Sequence, residues 1–103
     1  MSLGRRTHYS SQSRRTNFLR ERLPEPLQYY EEELPDLTVR GKWAQARCCF
    51  HRDTNPSLSV NVESGGFVCF ACDAKGGDVL AFHRLRYQLS FRDAAIQLGA
   101  WRK

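Results

Sequence analysis

The hydrophobic and polar positions in the middle of this chain alternate with the period of β-strands. Residues 57–62 read Ser-Leu-Ser-Val-Asn-Val, which predicts a half-buried strand with its three apolar side chains on one face. Residues 37–47 contain two strand-like runs around a turn at Arg40-Gly41, which predicts a hairpin. The Ser-Gly-Gly run at 64–66 predicts a second turn, after which residues 67–70 return as another strand. The pattern therefore predicts a small antiparallel sheet of three to five strands.

The period changes to that of helices after the two glycines at 76–77. Asp78 is placed to cap one helix, and Ser90 with Asp93 matches the capping box of a second helix. Gly99 then ends the second helix. Its apolar positions recur at i, i+3, i+4 and i+7, namely at Phe91, Ala94, Ala95 and Leu98. The predicted fold class is α+β, a small antiparallel sheet followed by two C-terminal helices.

Charge divides the chain into three segments. Residues 1–22 carry six arginines against one glutamate and predict a disordered basic arm. Residues 23–36 carry five acidic residues and no basic one, and they predict a short acidic helix or linker. The apolar side of that helix is expected to consist of Leu27, Tyr30 and Leu34. These two segments cancel, so the net charge of +5 belongs to the predicted domain, residues 37–103.

Composition limits the classes of protein that remain. A chain of 103 residues has room for one domain with a small core, and not for a polymerase, nuclease or ATPase catalytic domain beside a second one. A pI of about 9.3 favours an anionic partner, with nucleic acid ahead of an anionic membrane surface. No apolar run approaches the ~18 residues of a membrane span, and no secretory signal is present. An Arg- and Ser-rich transit peptide is an alternative interpretation of residues 1–22.

The cysteines predict a metal site. Cys48 and His51 are separated by two residues, seventeen residues follow, and Cys69 and Cys72 are again separated by two. Each pair can place two ligands on one tight turn, and two such turns complete a tetrahedron around Zn²⁺. Cys49 is the thiol left outside the ligand set. A ligand set that used both adjacent cysteines would strain the backbone, and His51 would then not be a ligand. We expect one structural zinc per chain, with disulfides or free buried thiols as the alternative.

At this point the residues resemble a known family. Residues 41–60 contain the first ligand pair and an Asn-Pro-Ser turn, residues 67–72 form a Cys-Phe-x-Cys knuckle, and residues 76–79 begin a helix with Gly-Gly-Asp-Val. In this order they resemble the Cys-His-Cys-Cys zinc-binding domain of bacterial DnaG-type DNA primases, over about residues 37–101. The resemblance implies a zinc-ribbon fold that binds single-stranded template DNA during priming. The preceding helix, residues 24–30, looks like the variant found in small proteins of plasmids and integrative elements, which implies a location in the bacterial cytoplasm.

Two departures from the family pattern change the expected role. The family usually has proline where Cys49 stands, so an extra thiol lies beside the metal site. The family's primases carry a Toprim-type polymerase domain after the zinc domain, whereas this sequence ends at Lys103 with no carboxylate cluster for two Mg²⁺ ions. We therefore expect a non-catalytic accessory protein rather than an enzyme, acting with a separate Toprim primase or a helicase.

Basic and aromatic side chains alternate near the predicted metal site. Single-strand binders use this mixture, because cations follow the phosphates and rings stack on the bases. The predicted DNA-binding residues are Lys42, Trp43, Arg47, Arg52, Phe67 and Lys75. The alternative is that the aromatic residues Trp43, Phe67 and Phe70 fill the core of the sheet instead of contacting DNA. For the basic arm there are two alternatives: it contacts DNA phosphates, or it is a solvated tail. The rival functions are a zinc-stabilised protein adaptor and a small transcription regulator.

Overall fold

The computed structural model describes residues 17–50 and 55–102. Most of the predicted basic arm, together with His51, Arg52 and Lys103, therefore lies outside the described residues. A 3₁₀ turn at Arg20–Arg22 precedes the first helix. In chain order the elements are α1 (Pro26–Glu33), β1 (Thr38–Arg40), β2 (Trp43–Ala46), β3 (Leu58–Asn61), β4 (Phe67–Cys69), β5 (Lys75–Gly76), α2 (Val79–Tyr87) and α3 (Phe91–Gln97).

The five strands form one antiparallel sheet in the order β1-β2-β3-β4-β5, so each strand pairs with its sequence neighbour. The turn between β1 and β2 uses Gly41, whose φ of +70° lies in the left-handed region that favours glycine. The turn between β3 and β4 uses Gly65 at φ +86° in the same way. The predicted small antiparallel sheet is confirmed.

Both C-terminal helices begin at the predicted caps. A side-chain oxygen of Asp78 accepts a hydrogen bond from the Ala81 backbone N–H at 2.9 Å, and Ser90 accepts one from the Asp93 N–H at 3.0 Å. Gly99, with φ +78°, follows the end of α3. Among the described residues, no helix has the length and apolar character that a membrane crossing requires.

The main core lies between one face of the sheet and helices α1 and α2. Its centre is Phe82, which is fully buried and contacts the rings of Tyr29 and Tyr30 edge-on. Helix α1 buries Tyr29 and Tyr30, and Leu34 is buried directly after its end, whereas Leu27 is only partly buried. The predicted apolar side of this helix is therefore displaced by part of a turn. The reason is chemical: the Tyr29 hydroxyl has a buried hydrogen-bond partner, His83 Nδ1 at 2.7 Å, so a tyrosine can be buried there.

A smaller apolar cluster joins the two ends of the described chain. Phe18 forms an isolated antiparallel bridge with Trp101 and contacts the ring of Phe91 edge-on. The Leu19 N–H donates to the Ala100 carbonyl at 2.7 Å. The predicted disordered arm, residues 1–22, is therefore too long at its C-terminal end, because residues 17–22 are held against the C-terminal helix.

Candidate metal centre and nucleic-acid interface

Three of the four predicted metal ligands converge at one end of the sheet. The Sγ atoms of Cys48, Cys69 and Cys72 all lie within 4.8 Å of one another, and those of Cys48 and Cys72 are 3.8 Å apart. Two thiolates of a tetrahedral zinc site with Zn–S bonds of about 2.3 Å are separated by roughly 3.8 Å. The thiol cluster therefore fits a zinc ion. His51, the predicted fourth ligand, lies outside the described residues.

The backbone around the thiols is arranged to stabilise thiolates. The Phe50 N–H donates to Cys48 Sγ at 3.4 Å, and the Ala71 N–H donates to Cys69 Sγ at 3.4 Å. Each bond joins a cysteine to the residue two positions later, which closes a tight turn and directs a backbone dipole at the sulfur. Asp73, at φ +63°, reverses the chain after the second turn. Each turn thus aims a backbone N–H at a cysteine sulfur, which would partly balance the charge of the thiolate formed when a metal binds.

Burial keeps the first thiol protonated when no cation is bound. Burial raises the pKa of the Cys48 thiol to about 12, although the hydrogen bond from the Phe50 N–H opposes the rise, and neighbouring Cys69 and Cys72 add to it. A bound cation must displace these protons, so binding is expected to weaken as the pH falls. Cys49 is exposed and is not a member of the thiol cluster, as expected for the extra cysteine.

The strand register defines a second feature, the outer face of the sheet, which lies opposite the core. Successive residues of a strand point to opposite faces, and directly paired residues share a face. Since Ala44 and Ala46 are buried in the core, Trp43 and Gln45 belong to the outer face. The register then places one row across all five strands of this face, composed of Thr38, Gln45, Ser59, Val68 and Lys75. A second row contains Arg40, Trp43 and Asn61. Just beyond the strand ends, the Phe70 N–H donates to the Ser57 carbonyl at 3.0 Å, and Arg47 directly follows β2.

Cations and aromatic rings are exposed on this outer face. Trp43 is 46% exposed and Phe70 is 74% exposed. Lys42, Arg47 and Lys75 are also exposed, so the structure brings Trp43, Arg47 and Lys75 onto one face, with Lys42 in the adjoining turn. A shallow cleft of about 380 Å³ lies on this face, lined in part by Arg40, Gln45 and Arg47. For Phe70 the sequence leaves the sheet core and the surface as alternatives, and the structure exposes its ring. Arg40 is not among the predicted residues, and its pairing with Trp43 is given by the register.

One cation of the outer face already has a partner. Arg47 Nε lies 3.3 Å from Asp36 Oδ2, and the Arg47 backbone N–H donates to the same oxygen at 2.9 Å. The hydrogen bond from that N–H is the largest cause that holds the pKa of Asp36 below its usual value. A phosphate that binds Arg47 must therefore compete with a carboxylate.

Phe67 requires a correction. It was expected to contact DNA, but it is only 3% exposed and its ring packs edge-on against Phe82 at 5.2 Å between centroids. A Cβ atom on Gly76 would lie 2.6 Å from the Phe67 ring, which shows how closely the ring lies against the neighbouring strand. Phe67 pairs with Val60 on the core face, so it is a core residue and is not available to stack on a base.

His83, the third histidine of the chain, is buried in a chain of hydrogen bonds rather than near the thiols. Its Nδ1 is bonded to the Tyr29 hydroxyl, and its Nε2 lies 2.9 Å from Gln97 Oε1. Both ring nitrogens of His83 therefore have a hydrogen-bond partner, and the ring links Tyr29 of α1 to Gln97 of α3. His83 therefore joins α1, α2 and α3 and is not a candidate metal ligand.

A five-stranded antiparallel sheet with three thiols gathered at one end, followed by two helices, defines a small zinc ribbon. The chain belongs to the CHC2 zinc finger family, the zinc ribbon of DnaG type, whose profile matches residues 31–102. Membership of this family and the three clustered cysteines together fit one structural zinc ion.

The relatives of this chain are DNA primases. The DNA primase of Campylobacter jejuni is 49% identical over 69 residues, which cover 67% of this chain and 11% of the relative. The DNA primase of Deinococcus radiodurans is 41% identical over 64 residues, which cover 61% of this chain and 11% of the relative. The crystal structure of the Aquifex aeolicus primase, with its zinc-binding and RNA polymerase domains, superposes with a TM-score of 0.65 and 30% identity, covering 74% of this chain and 18% of that one. The chain thus spans about a tenth of the length of the curated relatives it matches, and the similarity is to their zinc-binding part.

Proposed function

We propose that this chain binds single-stranded DNA on the outer face of its sheet and serves primer synthesis as a non-catalytic accessory of a separate catalytic primase or helicase. In this proposal Cys48, His51, Cys69 and Cys72 hold one structural zinc ion that closes its tetrahedron and leaves no position for a substrate. The DNA is contacted by Lys42, Trp43, Arg47, Arg52 and Lys75, together with the exposed ring of Phe70. The similarity to DNA primases supports the link to replication.

The observation that carries the proposal is the composition of the outer face. Trp43 and Phe70 are exposed towards opposite ends of the strands, and Lys75 lies on the far edge strand. Neighbouring strands are about 4.8 Å apart, so the face from β2 to β5 is roughly 14 Å wide. That width accommodates an extended single strand of a few nucleotides, with bases on the rings and phosphates at the cations.

The first experiment compares labelled single-stranded and double-stranded oligonucleotides of one sequence by fluorescence anisotropy, with zinc-loaded protein. A preference for the single strand supports the proposal. A preference for the duplex would favour the transcription regulator, and the absence of binding to either would favour the protein adaptor; both results would overturn the proposal. The accessory role itself is tested by adding the chain to a catalytic primase or helicase and measuring primer synthesis or co-purification.

The second experiment locates the contact. Trp43→Ala should weaken binding by about 1–3 kcal/mol with little change in salt dependence, because stacking releases no counterions. Lys75→Gln should instead lower the log–log salt slope by about 0.7, the value for one single-strand phosphate contact. Tyr87→Ala is the matched control, since Tyr87 is 45% exposed on α2, which contributes nothing to the outer face.

The basic arm needs its own control. Residues 1–16 carry four arginines and no acidic residue, and their removal leaves every described contact of residues 17–22 in place. If the protein without residues 1–16 binds no single strand while the Trp43 and Lys75 variants bind normally, the arm is the DNA site and the outer face is not.

A further inference from the structure

A second cationic site lies away from the sheet, between residues 17–22 and the C-terminal helix. The Arg102 N–H donates to the Asn17 carbonyl at 2.8 Å, and together with the Phe18–Trp101 bridge this holds the two chain segments side by side. Between them and α3 lies an open groove of about 1050 Å³. Small-molecule sites in proteins occupy about 300–1,000 Å³, so this groove, which we call the arginine groove, is large enough for a ligand.

The charge of the arginine groove is not balanced within the described residues. Arg22, Arg92 and Arg102 line it, and Glu21 is the one acidic residue among the lining residues. None of these three arginines forms an ion pair with a described carboxylate, in contrast to three arginines elsewhere on the surface, Arg20, Arg47 and Arg86. Three guanidinium groups around one groove are suited to an anion with several oxygens, because each guanidinium can donate two parallel hydrogen bonds to a phosphate or carboxylate.

An aromatic ring lies beside these cations. Trp101 is half-buried in the groove wall, and Arg92 lies over it with Cζ 5.9 Å from the indole centroid. Ile96, which is 46% exposed, adds apolar surface to the same wall. A planar apolar ring next to guanidinium groups that have no ion-pair partner among the described residues matches a ligand that is part aromatic base and part phosphate.

We propose that the arginine groove binds a nucleotide, with its phosphates at Arg22, Arg92 and Arg102 and its base against Trp101. The site is separate from the outer face of the sheet and does not depend on it. The nucleotide is either a free nucleoside triphosphate or one unit of a nucleic-acid strand, because both present the same chemistry. The chain's own residues 1–16 are not the occupant we infer, since their four arginines would add positive charge to a groove that already has an excess.

The two tryptophans of the chain make the test specific. In a Trp43→Phe protein the remaining tryptophan is Trp101, which reports on the arginine groove alone, whereas a Trp101→Phe protein reports on the outer face alone through Trp43. We would titrate the zinc-loaded, full-length Trp43→Phe protein with ATP, tripolyphosphate and a short oligo-dT, and follow Trp101 fluorescence. A saturable change with ATP or oligo-dT is expected, and the tighter of the two identifies the source of the nucleotide.

Charge-neutralising variants decide the outcome. Arg92→Gln combined with Arg102→Gln should weaken binding roughly ten- to a hundredfold, the range for losing charged hydrogen bonds. Arg84→Gln is the matched control, because Arg84 is an exposed arginine of α2 outside the groove, and it should leave the affinity unchanged. The proposal is overturned if Trp101 shows no saturable response, if the control weakens binding as much as the double variant, or if tripolyphosphate binds as tightly as ATP. Saturation by a Glu-rich peptide without any response to nucleotides would likewise overturn it, in favour of a docking site for acidic proteins.

Discussion

The aromatic cluster at Phe82 provides the most direct test of how this small core is held together. Phe82 is fully buried, and its ring centroid lies 5.0–5.8 Å from the rings of Tyr29, Tyr30, Phe50 and Phe67. Replacement of a buried phenylalanine by alanine costs about 3–5 kcal/mol, because the apolar surface is lost and the cavity is only partly refilled. With four ring contacts removed at once, we expect Phe82→Ala to fall in the upper half of that range.

The size of the domain turns this cost into a large effect. A chain of about 100 residues has a free energy of unfolding of about 5–15 kcal/mol, so the substitution removes a third or more of it at typical stabilities. At about 4–8 °C for each kcal/mol, a cost of about 4–5 kcal/mol should lower the melting temperature by roughly 16–40 °C. The measurement is thermal and denaturant unfolding at a fixed excess of free zinc, because zinc binding itself adds to the apparent stability.

Phe70→Ala is the matched control, since it makes the same chemical change at a ring that is 74% exposed. It should alter the free energy of unfolding by less than about 0.5 kcal/mol, as exposed substitutions do, while it weakens single-strand binding if Phe70 stacks on a base. A cost below about 1.5 kcal/mol for Phe82→Ala, or equal costs for the two variants, would show that zinc alone holds the domain and that the aromatic cluster is incidental.

Three substitutions test the metal centre and the outer face. Cys69→Ser should abolish stoichiometric zinc binding and cooperative unfolding, because one of the three converging sulfur atoms is lost. Metal analysis and circular dichroism measure the two effects, and a stable zinc-free fold would contradict this. Cys49→Pro should keep both zinc and fold, since Cys49 is exposed and outside the thiol cluster, and loss of zinc would show that Cys49 is a ligand. Asp36→Asn should tighten single-strand binding up to about fivefold by releasing Arg47 from its exposed ion pair, and unchanged affinity would mean that Arg47 does not contact the DNA. Because the folded pKa of Asp36 is depressed, its contribution to stability is fully present above the ordinary carboxyl pKa and is lost as the pH falls from there through the lower folded pKa. Acid unfolding of Asp36→Asn should therefore depend less on pH than that of the parent.

The features that the sequence predicts well are the local ones. A strand period, a glycine turn and a helix cap each depend on a few adjacent residues, and all three are found where expected, at β3, at Gly65 and at Asp78. The two cysteine turns are equally local. That Cys48 converges with Cys69 and Cys72 is predicted for a chemical reason, because one tetrahedral zinc ion needs the ligands of both turns.

The features that the sequence does not predict depend on contacts between distant residues. A three-residue strand such as β4 has too few positions for its period to show which side is buried, so Phe67 could be placed in the core only by its pairing with Val60. The burial of Tyr29 depends on a partner 54 residues away, His83. The anchoring of Phe18 depends on Trp101, near the other end of the chain, and no local pattern in the polar residues around Phe18 indicates it.

The strand alternation couples the proposed zinc site to the proposed DNA site. Cys48 and Cys69 are buried on the core side, and the residues next to them, Arg47 and Phe70, lie on the outer face. A zinc ion held by these cysteines therefore fixes the separation of a cation and a ring on the opposite face, although it touches neither. Trp43 lies at the far end of β2, where its pairing with Asn61 sets its position instead. Removal of zinc should consequently weaken the proposed contacts of Arg47 and Phe70 with DNA more than the contact of Trp43. A zinc ion whose four coordination positions are all filled by protein ligands can in this way still determine how a single strand is bound.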